Sequence, residues 1–174
     1  MTGKDFLRAV ANGRTDLVQV LLDILADTGA GYCAIGGLAV NAYAEPVVSL
    51  DLDLVVMAND LSAVCRSARA RGLSTEEFEH IVNISASGSD LRVQLQTDPR
   101  YQDFLSRAAE REVLGYRLRV AAIEDVLQGK LWAYADSARR GSKRQKDLAD
   151  ILRLVEAHPE LADRLPPELR EGSC

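Results

Sequence analysis

Apolar positions along the chain fall into stretches with two different periods. Leu17, Val20, Leu21, Ile24 and Leu25 recur at helical spacing and Gly29 follows as a C-cap, so the pattern predicts an amphipathic helix over 16–27. The run YCAIGG then predicts a short buried strand entering a Gly-Gly turn, and LAVNAYA a helix that stops before Pro46. In SLDLDLVVM, polar and apolar residues alternate up to Asp53 and then become continuously apolar, as expected of a central strand whose first half emerges at a site. Further along, the pattern predicts a helix over 59–71, strands in HIVNISAS and DLRVQLQT joined around Gly88, a helix in YQDFLSRA and a strand in GYRLRVA. Ile123, Val126, Leu127 and Leu131 form the inward stripe of a helix in IEDVLQGKLWAYAD, and a second such helix spans roughly 142–157. The tail from Pro166 to Cys174 reads as poorly anchored. The resulting class is α/β (α+β): a small mixed sheet with flanking helices over 1–121, followed by a helical C-terminal part over 122–174.

Composition narrows this picture. At 174 residues and 47% hydrophobic, the chain can bury a core without covalent staples, and the odd, scattered Cys33, Cys65 and Cys174 suit free thiols in a reducing compartment. A cytoplasmic protein is the expectation. Lys4, Asp5 and Arg8 near the start, with no apolar run beside them, do not form a secretory signal. The longest uncharged run, 28–44, is broken by Gly29, Gly31, Gly36 and Gly37 and is too short and polar to span a membrane. A net charge of -5 excludes a surface built wholly for nucleic acid, while leaving room for a local basic patch.

The sharpest chemical signal is IGG(x13)DLD: Gly36 and Gly37 at a strand-to-helix turn, then Asp51 and Asp53 on the next strand. Residues two apart on a strand share a face, so both carboxylates can converge on one hard cation. Paired carboxylates in a Val/Leu-rich strand cost several kcal/mol unless a cation or protons compensate, and Mg²⁺ or Mn²⁺ supplies that compensation. A turn free of side chains at a helix N-terminus lets backbone N–H groups approach a phosphate. Each half alone has a bland reading, a tight turn or a strand-end cap, and it is the joint spacing that points to nucleotide chemistry. His80 and His158 lack metal-like spacing, Cys33 reads as a small core residue, and Trp132 sits near an apolar stripe where packing outweighs base stacking.

These residues resemble the nucleotidyltransferase superfamily with the DNA polymerase β-like fold, and more narrowly the AbiEii-type and related nucleotidyltransferase-like proteins. The resemblance runs from about residue 32 to 156, strongest in IGGLAVNAYAEPVVSLDLDLVV and KLWAYADSARRGSKRQKDLADI. It implies that Gly36 and Gly37 open the nucleotide-binding helix, that Ser49 precedes the metal motif and that Asp51 and Asp53 bind metal. Many members carry a third carboxylate on a later strand. Here that position is Gln94, a neutral amide that cannot act as a base, and Asp90 lies roughly 13 Å away along an extended chain. The AbiEii-type resemblance also implies roles for Lys130 on nucleotide phosphates and for Asp147, beside Lys146, in orienting or deprotonating an acceptor hydroxyl. Arg139, Arg140, Lys143, Arg144 and Lys146 form the one dense basic stretch, suited to phosphates or an RNA backbone although it sits at a helix start, against the dipole preference.

The expected activity is metal-dependent transfer of a nucleoside monophosphate from an NTP to a hydroxyl of RNA, such as tRNA, or of protein. By the same resemblance the chain would be the toxin of a toxin-antitoxin or phage-defence pair with a separately encoded antitoxin. The competing expectation, motivated by Gln94, is a catalytically silent module of the same fold that binds a nucleotide or a partner.

Overall fold

The computed structural model describes residues 3–10, 12 and 15–170. Helix α1 (Gly3–Val10) leads into α2 (Leu17–Thr28), whose start is fixed by the Asp16 carboxylate accepting from the Gln19 amide and whose end is fixed by left-handed Gly29. Strand β1 (Tyr32–Ile35) passes directly into the short helix α3 (Gly36–Val40), and β2 (Asp51–Val56) follows after a loop. A 3-10 turn (Ala58–Asp60) opens α4 (Leu61–Ala70), and β3 (Ser74–Glu77), β4 (Ile81–Ser85) and β5 (Arg92–Gln96) then widen the sheet. Short helices α5 (Pro99–Gln102) and α6 (Phe104–Arg107) precede the hairpin of β6 (Ala109–Val113) and β7 (Tyr116–Val120). The long helices α7 (Ile123–Ala135) and α8 (Gly141–Ala157), a 3-10 segment (Pro159–Arg164) and α9 (Pro167–Arg170) complete the described chain. None of its helices is long and apolar enough to cross a membrane.

The seven strands form one mixed sheet in the order β3-β4-β5-β2-β1-β7-β6. The aspartate-bearing β2 is central, antiparallel to β1 and parallel to β5. Strand alternation sends Leu52, Leu54 and Val56 to one face, where they are buried with Leu21, Ile24 and Leu25 of α2 and Val64 and Ala68 of α4. Asp51 and Asp53 therefore point to the other face, toward α7 and α8. Buried Val126 and Leu127 of α7 and Ile151 and Leu154 of α8 belong to the same continuous core as the strands.

The predicted mixed sheet with flanking and C-terminal helices is what the chain builds, and the differences are local. Strands β3 and β6 carry no hydrophobic alternation, because STEE and AEREV lie at the two edges of the sheet with most side chains exposed. Their pairing is set instead by their neighbours and, for β6, by the turn at Leu114 and Gly115, whose φ values of 50° and 84° suit a two-residue hairpin loop. The single helix expected in YQDFLSRA is divided at Asp103 into α5 and α6. The tail is anchored as far as it is described: Leu165 is buried, Leu169 packs against the core, and Arg170 donates to the carbonyls of Leu165 and Asp163. Residues 171–174, with Cys174, lie outside the described residues. Cys33 and Cys65 are free and buried, and burial, seconded by the Asp125 charge, pushes the Cys33 thiol up to about 12.

Candidate active site

The site is built around the junction of β1, α3 and β2. Ile35 pairs with Asp53 across the β1–β2 ladder, so the chain must turn into α3 directly beside the Asp53 carboxylate. Gly36 makes this possible in two ways. Its φ of +71° is a conformation that L side chains rarely adopt, and a Cβ there would overlap the Asp53 carboxylate. Gly37 carries no such demand: a Cβ would sit 3.7 Å from Asp150 Oδ2 and Ser49 Oγ, an ordinary contact. Ser49 fixes the start of β2, accepting from the Asp51 amide at 3.1 Å.

Strand register lays a polar row across the open face of the sheet. Asp53 lies opposite Gln94, Gln94 opposite Asn83, and Asn83 opposite Glu76, with Gln94 Nε2 3.5 Å from Asn83 Oδ1. The position read as a third carboxylate is therefore next to Asp53, and it holds an amide. Asp51 is opposite Arg92 and pairs with it at 2.8 Å, an exposed contact that an incoming cation can displace at little cost. Asp90 accepts from Asn12 Nδ2 at 2.6 Å.

Helices α7 and α8 form the facing wall through a buried ion network. The Lys130 ammonium donates to Asp147 Oδ1 at 3.1 Å and to Asp150 Oδ2 at 2.8 Å. Asp147 is fully enclosed, and its second oxygen accepts from Arg139 Nε at 2.7 Å. Asp150 also accepts from Arg153 at 2.7 Å, and Arg153 reaches the side chain of Asn41 and the carbonyl of Glu45 in the loop before β2. Burial acts to lower the Lys130 pKa, but Asp150 and Asp147 outweigh it and hold the ammonium above its ordinary value. Asp150 and the distinct position of Arg139 were missed from sequence. Asp150 was accessible as the residue one helical turn after Asp147, on the same face.

Sheet and helices enclose a cleft of about 490 Å³ lined by Gly37, Ser49, Asp51, Asp53, Gln94, Lys130, Arg139, Lys143, Lys146 and Asp147. A second cleft of about 900 Å³ opens on the other side of Asp53, between Phe78, Tyr101 and Trp132, and shares Lys130 and Arg139 with the first. Nearly every residue singled out in the sequence is thus brought to one place. Arg140 and Arg144 line neither cleft; Arg144 donates to the Tyr134 carbonyl and lies over its ring. Trp132 packs edge-on to Tyr101 and stacks on Phe104, while His158 hydrogen-bonds the Tyr43 carbonyl.

Asp53 has the most displaced acid of the site: burial raises its pKa, Lys130 opposes this, Asp51 adds to it, and the result is about 6. A carboxylate that is costly to ionise, beside a second carboxylate on the same face, is a donor set for one hard divalent cation. Among the described residues no group of three or more His, Cys, Asp or Glu side chains is placed to hold a metal ion.

No family model matches the sequence, and no curated protein is similar to it by sequence. The fold is similar to that of solved structures. ANT(2'')-Ia in complex with adenylyl-2''-tobramycin superposes with a TM-score of 0.61 at 14% identity, covering 91% of this chain and 97% of that one. The lincosamide antibiotic adenylyltransferase LnuA, lincomycin-bound, gives 0.58 at 11% identity over 82% and 99%. An antigenic nucleotidyltransferase-like protein from Paracoccidioides brasiliensis gives 0.54 at 19% identity over 87% and 76%. At such identities what is shared is the architecture, and the chain has the fold of the nucleotidyltransferases.

Proposed function

We propose that this protein is a nucleotidyltransferase that moves a nucleoside monophosphate from an NTP to a hydroxyl group, with Asp51 and Asp53 holding one Mg²⁺ or Mn²⁺. The observation that carries the reading is the placement of Asp53: a half-buried, hard-to-ionise carboxylate against the glycine that opens α3, at the meeting point of two clefts. When bound, the cation neutralises charge on the phosphates during transfer. The protein's own groups do the rest. The open turn at Gly36 and Gly37 lets the chain approach the phosphates, Ser49 holds the start of the metal strand, and Lys143 and Lys146 add positive charge along the cleft wall. Asp147 and Lys130 act on the site together, as one locked ion pair.

The AbiEii-type resemblance makes RNA and protein the first acceptors to screen, and a toxin role would appear as growth arrest on expression, relieved by a separately encoded antitoxin. A second reading, a silent nucleotide-binding module, is favoured by one observation: the amide of Gln94 stands beside Asp53 where a base would be useful.

Thermal unfolding of wild type and the Asp51→Asn/Asp53→Asn variant, with each NTP and with or without Mg²⁺, tests the reading. Wild type should gain about 3 kcal/mol at a hundredfold excess of nucleotide over Kd, only with metal, and the variant should gain nothing. Absence of any shift with all NTPs refutes the nucleotide site. A metal-dependent shift without pyrophosphate release in the presence of RNA or protein acceptors selects the silent module.

A further inference from the structure

Lys130 and Arg139 both line the two clefts that meet at Asp53, and they differ in what they have left to offer. The Lys130 side chain is 10% exposed, and two of its three N–H donors serve Asp147 at 3.1 Å and Asp150 at 2.8 Å. The Arg139 side chain is 35% exposed and lines both clefts. Of its five N–H donors, Nε reaches Asp147 Oδ2 at 2.7 Å and one from Nη2 reaches Oδ1 at 3.4 Å, so three remain. Asp147, at 1% exposure, cannot lose either partner without leaving a buried charge uncompensated. The guanidinium is therefore fixed in place before any ligand arrives, and its free donors stand at the cleft.

We propose that Arg139, gripped from behind by Asp147, is the residue that contacts the triphosphate, and that Lys130 is the internal counter-ion of this anchor. The assignment rests on the nucleotidyltransferase reading and changes its cast. The basic group doing the binding lies in the loop between α7 and α8, and Asp147 is a positioning residue. Phosphate suits the arrangement because a planar fork with one edge held by a carboxylate presents its other edge to paired oxygens.

Calorimetric titration of the full chain with Mg-ATP and with Mg-tripolyphosphate, which has no base or sugar, separates the possibilities. Arg139→Gln should bind both about tenfold or more weakly, measured well below a melting temperature lowered by the charge it uncovers on Asp147, and Arg139→Lys, which keeps that charge paired, should recover only part of the loss. Asp147→Asn distinguishes an anchor from a bystander charge. Removing a negative charge would by itself tighten anion binding, whereas losing the grip on Arg139 should weaken it. Wild-type affinity in Arg139→Gln, or tighter binding in Asp147→Asn, overturns this assignment alone. Failure of wild type to bind either probe overturns it together with the nucleotidyltransferase reading.

Discussion

Asp53 has an ionisation that couples the site to pH. Its folded pKa of about 6 lies above its ordinary 3.8, so the folded protein holds this proton more tightly than the unfolded chain. The stability this proton contributes is complete below about pH 4 and is lost as pH rises through 6. It amounts to about 3 kcal/mol at most in metal-free protein. In the proposed metal site Mg²⁺ would replace the proton as the compensating charge, so its stabilising effect should be small at pH 5 and large at pH 7.5. Unfolding in EDTA and in Mg²⁺ across this range should show the two curves diverge with pH, and Asp53→Asn should remove the divergence. At this scale the sequence was informative where a residue type is itself unusual: an Asp-x-Asp inside an apolar strand, or a glycine between a strand and a helix. It was silent where importance comes from a partner. Asp150 is an ordinary helical aspartate until Lys130 and Arg153 are seen against it.

The pair of α7 and α8 is held together by more than its apolar stripes. Lys130 bridges Asp147 and Asp150 within the interface, and loss of one member of such a set leaves enclosed charge behind. Lys130→Met should therefore cost about 3–5 kcal/mol in a denaturant titration. An exposed pair is a control: Arg69 and Glu77, bonded at 3.1 Å with both side chains about half exposed, should contribute no more than about 1 kcal/mol. Elements with a buried face, such as α2, β2, α7 and α8, were legible from periodicity because burial is what periodicity records. The edge strands β3 and β6 bury little, and nothing in their own composition distinguishes them from loops.

At the scale of the whole molecule, the helical C-terminal part shares its core with the sheet, since Val126, Leu127, Ile151 and Leu154 join the cluster that contains Leu54 and Ala34. Calorimetry should accordingly show one unfolding transition, and two separated transitions would mean that the parts on either side of residue 121 fold independently. The sequence by itself determined the order of the main elements, the class of the fold and the two aspartates facing one way, because helix and strand periods and the two-residue repeat of a strand are local properties. Only the tertiary structure decided that Gln94 and Asn83 continue the row from Asp53, and that Lys130, separated by 17 residues from Asp147, and Arg139 both close on that one carboxylate. Register between distant strands and the choice of ion-pair partner are set by which surfaces pack together, and no local stretch of sequence carries that information.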